Sequence, residues 1–196
     1  MASCFKIYYF SRMIEALTTG VILISDPFLK DPNFLRTAVI ICEHNTEGSV
    51  GFVFNKQFEL GIGDLVEGLE GIDFSVYDGG PVQKNSIHFI HTHPDFIDEG
   101  TDIGNGIYWG GNFEQVKALL KTDSLTENDI RFFIGYSGWG TGQLEDEIVE
   151  KSWIIREGNK ELVFSTKSAQ IWKDALKGLG GEYELMPNYP LDPQLN

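Results

Sequence analysis

Arg131-Phe132-Phe133-Ile134-Gly135-Tyr136 runs directly into Ser137-Gly138-Trp139-Gly140-Thr141-Gly142-Gln143-Leu144. The first six residues form a short, strongly apolar run, the pattern of a buried strand. The stretch from Tyr136 to Leu144 is rich in glycine, which adopts backbone conformations closed to other residues, so a tight-turning loop is expected there. Gln143 to Val149 then places carboxylates in a first helical turn, where the helix dipole favours them. The order is strand, glycine loop, helix, and the loop could offer backbone N–H groups to a ligand.

The same alternation extends in both directions. Val21–Ser25, Ala38–Glu43 and Val50–Asn55 are runs rich in Val, Ile and Phe, punctuated by Asp26-Pro27 and Asp31-Pro32-Asn33, and read as strands. Ile62, Leu65, Val66 and Leu69 recur at helical spacing and predict a short amphipathic helix. Ile87, Phe89 and His91 line one face of a strand, with His88, Ile90 and Thr92 on the other. Ile107–Trp109 is a further short strand. Asn112 with Gln115, and Ser124 with Glu127, have the spacing of a helix N-cap and its reciprocal partner. Phe113, Val116, Leu119 and Leu120 give the first of these an apolar stripe. Downstream, Trp153–Arg156 and Leu162–Ser165 predict two strands joined at Gly158-Asn159. Ser168 is expected to cap a helix through Ile171, Trp172, Ala175, Leu176 and Leu179, ended by Gly180-Gly181. From Pro187 onward an extended tail is expected.

The 196 residues carry no internal repeat and no low-complexity linker, so a single domain of mixed α and β structure over 14–196 is expected. Residues 1–13 are set apart as a poorly anchored extension. Met1 to Arg12 is interrupted by Lys6, lacks the apolar core of a signal peptide, and precedes a second plausible start at Met13. No apolar run approaches the roughly 18 residues that cross a bilayer, so no membrane association is expected. Cys4 and Cys42 are too few and too distant for a disulfide framework, which suits the reducing cytoplasm.

Lys and Arg number 15 against 29 Asp and Glu, a formal charge of -14. The excess is concentrated: from Gln57 to Gln115 only Lys84 opposes eleven acidic residues. Nucleic-acid binding draws on neutralisation of phosphates by Lys and Arg, so this composition disfavours it. The most basic stretch, Lys151 to Lys177, sets six basic residues against three acidic ones and reads as a solvated face.

Four motifs invite a chemical reading. His91-Thr92-His93-Pro94 places two His at strand spacing and resembles the core of JAMM-type zinc isopeptidases. The downstream Asp ligand of that motif is missing, with Gly104 and Asn105 at the expected place, so His91 and His93 make an incomplete metal set. Gly135-Tyr136-Ser137-Gly138-Trp139 resembles a nucleophile elbow, but Trp139 stands where the second glycine belongs and no His follows Ser137. Cys42 and His44, two apart, would share a strand face, without a third group to orient the imidazole. Cys42 otherwise reads as a small buried hydrophobe. Gly79-Gly80-Pro81-Val82 and the Gly138–Gly142 run lack the Lys-Ser/Thr of a P-loop and the spacing of a dinucleotide fingerprint, so no cofactor is expected.

Several ordered motifs resemble the AlgH/YqgE family of bacterial proteins. They are Gly20-Val21-Ile22-Leu23-Ile24-Ser25-Asp26-Pro27, Asp31-Pro32-Asn33-Phe34-Leu35-Arg36-Thr37, Cys42-Glu43-His44-Asn45, Gly48, Gly51 and Asn55-Lys56. Gly79-Gly80-Pro81-Val82, His91, Gly135 to Trp139, Gly142-Gln143-Leu144, Glu147, Trp153 and Asn196 complete the pattern. Ser137 stands where the family usually has Ala, Lys56 where Arg is common, and His93-Pro94 lies outside the pattern. The resemblance implies an α+β fold built on a coiled or branching, mostly antiparallel sheet with flanking helices. It implies no catalytic residues, since the family carries a transcriptional-regulator label without an established activity. The expected role is a cytoplasmic, non-catalytic regulatory or binding module with a protein or small-molecule partner. Direct DNA regulation and metal-dependent hydrolysis through His91 and His93 are the alternatives. The expected ligand or partner surface is Tyr136, Ser137, Gly138, Trp139, Gly142 and Gln143, with Asn33, Arg36, Glu43, His44 and Asn55 as polar neighbours.

Overall fold

The computed structural model describes residues 16–190, so the extension expected over 1–13 and the closing residues 191–196 lie outside the described residues. Strands β1 (Ile22–Ser25), β2 (Ala38–Asn45) and β3 (Gly48–Val53) pair antiparallel in chain order, and β10 (Trp153–Arg156) lies along the free side of β1. β9 (Ile130–Gly140) links this half to the other. It pairs β3 through Ser137–Gly140 and β6 (Val82–His91) through Ile130–Tyr136, and the sheet continues to β8 (Ile107–Trp109) and β7 (Thr101–Gly104). A branch leaves from the same strand: Phe132–Ile134 pair in parallel with β5 (Ser75–Asp78), which carries β4 (Gln57–Gly61) antiparallel.

A strand has only two edges. β9 serves three neighbours because β5 occupies one edge along its first half and β3 takes over that edge along its second. Its eleven residues also feed three hydrophobic cores. Phe132 and Ile134 pack with Val116 and Leu120 of α2 (Phe113–Lys121), near the short α1 (Ile62–Leu65). Phe133, on the opposite face, joins Ile24, Ile40 and Phe52 under Ile171, Trp172 and Leu176 of α5 (Ser168–Lys177). Trp139 enters a third core with Leu23, Val39 and Ile41, closed by Leu144 and Ile148 of α3 (Gln143–Val149). Each such buried aromatic contributes about 2 kcal/mol by removal from water. The one cation in the run, Arg131, is also buried, and it bridges elements. Its guanidinium stacks on Tyr77 at 4.2 Å and donates to the Phe54 carbonyl at 2.8 Å and the Ser165 carbonyl at 2.7 Å. Burial lowers its pKa to about 10.

Several local expectations give way to tertiary context. The loop expected from Tyr136 to Leu144 is strand as far as Gly140, because β3 supplies a ladder partner for Ser137–Gly140, leaving only Thr141 and Gly142 to turn the chain. Leu162–Ser165 is not a strand: Asn159 Oδ1 accepts from Leu162 N at 2.7 Å and caps a helical turn, α4 (Lys160–Val163). The helix expected from Ile62 to Leu69 stops at Leu65, where Val66 is already extended. Asn112 caps α2 as expected, but Gln115 turns to Asp98, with Nε2 to Oδ2 at 2.7 Å. No helix follows Ser124. Thr126 instead bonds Asp129, and Glu127 accepts from Ser75 N at 2.7 Å, holding the start of β5. Lys167, not Ser168, is the N-cap of α5, without a side-chain cap. Met186–Asn188 is a 3-10 turn where an extended tail was expected.

Candidate functional site

The glycine motifs meet where the sheet branches. Gly79, just beyond β5, donates its N–H to the Ile134 carbonyl at 2.9 Å, and its own carbonyl accepts from Val53 N at 2.9 Å and Ser137 Oγ at 3.0 Å. β3, β5 and β9 are therefore joined through the backbone of one residue. A Cβ on Gly79 would stand 2.4 Å from the Gly135 carbonyl oxygen, and one on Gly80, at φ +148°, 2.4 Å from the Tyr136 backbone. Close backbone approach, rather than an anion, accounts for this pair. Ser137 is fully buried with its hydroxyl engaged on Gly79, so it braces the junction and presents no nucleophile.

Trp139 and Gln143 converge on Glu147. The Glu147 carboxylate accepts from Trp139 Nε1 at 3.0 Å, Trp153 Nε1 at 2.7 Å and Gln143 Nε2 at 3.0 Å, while Gln143 Oε1 accepts from Gly140 N at 3.0 Å. Phe34 packs on both indoles. Gly142 caps α3 at φ +74°. Tyr136 meets His88 edge to face at 5.9 Å, and Gly138 is exposed on the strand.

Glu43 and His44 lie beside this cluster at the far end of β2. A register break between Ile41 and Glu43 inserts one extra residue, so the side-chain alternation slips. Cys42 packs with Ile40 in the core under α5, whereas His44 turns to the α3 side; the two do not share a face. Burial also pushes the Cys42 thiol up, well away from thiolate character. His44 Nδ1 bonds Ser49 Oγ at 2.8 Å, and Nε2 lies 3.9 Å from Glu145 Oε1. The residue types are those of a Ser-His-acid hydrolase, but Ser49 is only 4% exposed and 3.9 Å is too long for a hydrogen bond.

Asn33, Arg36 and Asn55 gather at the opposite end of β2. Asn55 accepts from Ala38 N at 2.9 Å and donates to the Arg36 carbonyl at 3.0 Å, cross-bracing β2 and the segment after β3. The Asn33 carbonyl accepts from Lys56 Nζ at 2.9 Å. Arg36 lies over the Trp172 ring at 5.1 Å and donates to the Tyr189 carbonyl. The eleven residues expected to form one surface therefore gather toward the two ends of β2, with Phe34 between them stacking on Trp139.

His91 is buried with both ring nitrogens engaged: Nε2 with the Gly110 carbonyl at 3.1 Å, and Nδ1 accepting from His93 N at 3.1 Å. Burial holds it below the ordinary histidine range, so it is a neutral core imidazole. His93 points away, with Nε2 3.1 Å from Asp129 Oδ1. Among the described residues no group of three or more His, Cys, Asp or Glu could hold a metal ion. Glu147, one helical turn from Gln143, is a residue of the family pattern that the expected surface did not include, and Ser49 carries no local signal. A groove of about 400 Å³ also opens between β4 and Gly71–Ser75, away from both groups.

The AlgH-like family model matches residues 22–184. A UPF0301 protein of Chlorobium phaeobacteroides is 42% identical over 182 residues, covering 93% of this chain and 97% of its own. One from Cytophaga hutchinsonii is 40% identical over 181 residues, covering 92% and 100%. The solution structure of Pseudomonas aeruginosa AlgH superposes with a TM-score of 0.70 at 24% identity, over 88% of this chain and 94% of that one. A Corynebacterium diphtheriae crystal structure does so with a TM-score of 0.74 at 20% identity, over 88% and 93%. These likenesses carry the mixed α+β, branching-sheet fold. No helix among the described residues is long and apolar enough to cross a membrane.

Proposed function

This chain belongs to the AlgH-like family, and from that premise we propose that it is a non-catalytic, cytoplasmic regulatory or binding module that acts through a protein partner. The observation that carries this reading is where the polar groups of the motif residues go. Ser137, Trp139, Gln143, Asn55 and His91 each engage other parts of the same chain. Groups held in this way brace the fold beneath its surface rather than attack a substrate. A free, buried Cys42 suits a reducing compartment. The charge of -14 works against direct phosphate contact, and the most acidic stretch, Gln57 to Gln115, contains the β4–β5 branch.

The test is affinity capture with the full chain from a lysate of its native cell, at about 0.15 M salt. One stoichiometric protein partner is the expected result. Recovery of none, or sequence-specific DNA binding at the same salt, would overturn the reading. The exposed residues Glu43 and Gln143 are the ones to alter first, because Trp139→Ala would empty a core position.

A further inference from the structure

Resting on the reading as a binding module, we propose that the outer edge of β4 takes up an extended, basic segment of a protein partner as an added strand. β4 ends the branch. Among the described residues its one strand neighbour is β5, and even there pairing is confined to the ends: Gln57 faces Tyr77 and Gly61 faces Ser75, leaving Phe58, Glu59 and Leu60 opposite Val76 alone. Exposed sheet edges are ordinarily blunted by Lys, by Pro or by a covering element. Gln57-Phe58-Glu59-Leu60-Gly61 contains neither residue, and Leu60 stands 45% exposed on it. Of the other two terminal strands, β10 is tied under α5 by Arg156 Nη1 donating to the Ala175 carbonyl at 2.6 Å, and β7 offers only the four residues Thr101–Gly104.

The chemistry of the occupant follows from charge. The groove between β4 and Gly71–Ser75, on the β5 side of β4, is lined by Glu59, Asp64 and Asp73 and by no basic residue. Asp64 accepts from Gly61 N, whereas Glu59 and Asp73 make no hydrogen bond or ion pair among the described residues. From Gln57 to Gln115 eleven acidic residues face one Lys. An incoming strand with Lys or Arg on alternate residues would set cations against Glu59 and within the field of Asp73 across β4, with its apolar residues against Leu60 and its backbone on the open edge.

The experiment is a fluorescence-anisotropy titration of the full chain with an alternating Lys-Val peptide at about 0.15 M salt. Saturable binding is expected, weakened about tenfold by Glu59→Lys with Asp73→Lys and by N-methylation of alternate peptide amides, which keeps the charge but removes strand pairing. Both substitutions lie on exposed positions, and unchanged circular dichroism checks the fold. Equal affinity for the N-methylated peptide means attraction by charge alone and sinks the proposal; so does no binding. Lysate capture of a partner that succeeds while the peptide fails would leave the binding-module reading standing without this site.

Discussion

The Gly79 peptide bonds to β3 at one point and to β9 at two, so a side chain has nowhere to go. Gly79→Ala is expected to cost about 3 kcal/mol, since the new Cβ must displace the Gly135 backbone. Ser137→Ala should cost only about 0.5–1 kcal/mol, because the Gly79 carbonyl keeps the Val53 N–H. Urea unfolding of the two variants checks the contrast, and equal losses would remove Gly79 from its place as the junction. His91 and His88 carry the pH dependence. Burial lowers both below the ordinary value of 6.5, so the folded chain resists a proton that the unfolded chain accepts. Stability from these groups is full above pH 6.5 and is lost as pH falls through the folded values. The urea midpoint should therefore drop between about pH 7.5 and about pH 5.5, and His91→Phe should flatten that drop while lowering the midpoint overall. A His91→Phe profile as steep as wild type would assign the effect elsewhere.

At the scale of elements, α3 is held to the sheet by one carboxylate accepting from two indoles. Glu147→Ala leaves both N–H groups without an acceptor and should cost about 3 kcal/mol. Glu147→Gln keeps an amide oxygen for them and should cost about 1 kcal/mol; thermal unfolding and the fluorescence of Trp139 and Trp153 report both. Comparable losses would mean that the contact is packing alone. Glu147 was legible as a motif residue but not as a hub, because Trp139 and Trp153 come to it from different strands. The same limit explains the elements that were missed. β1, β2, β3, β8 and β10 announce themselves through local apolar runs. β4, β5 and β7 do not: they are short and carry Glu or Asp, and they exist because a neighbour offers a ladder. Glycines at 138 and 140 signalled a turn by local preference, yet β3 outweighed that preference and kept them in strand.

For the whole molecule, the charge asymmetry was plain from composition, whereas the topology was not. Nothing local in Ser75–Asp78 marks it as the parallel neighbour of a strand more than fifty residues downstream, and that pairing is what makes the sheet branch. Charge also sets the response of the fold to salt. Among the described residues four ion pairs lie within 4.0 Å, and two of those depend on a histidine. Against them stands a net charge of -14, whose self-repulsion weakens the compact state. Raising ionic strength from about 0.01 M to about 0.15 M shortens the screening length from about 30 Å to about 8 Å, which removes long-range repulsion and leaves short-range packing untouched. The melting temperature should therefore rise over that interval and then level off. Glu59→Lys with Asp73→Lys, which shifts the net charge toward zero at unpaired exposed positions, should raise it in low salt and shrink the salt response. A melting temperature that falls with added salt would mean that attractive pairs outweigh the excess of carboxylates, and the acidic face would then be a stabilising feature of the fold rather than a surface kept open at a cost.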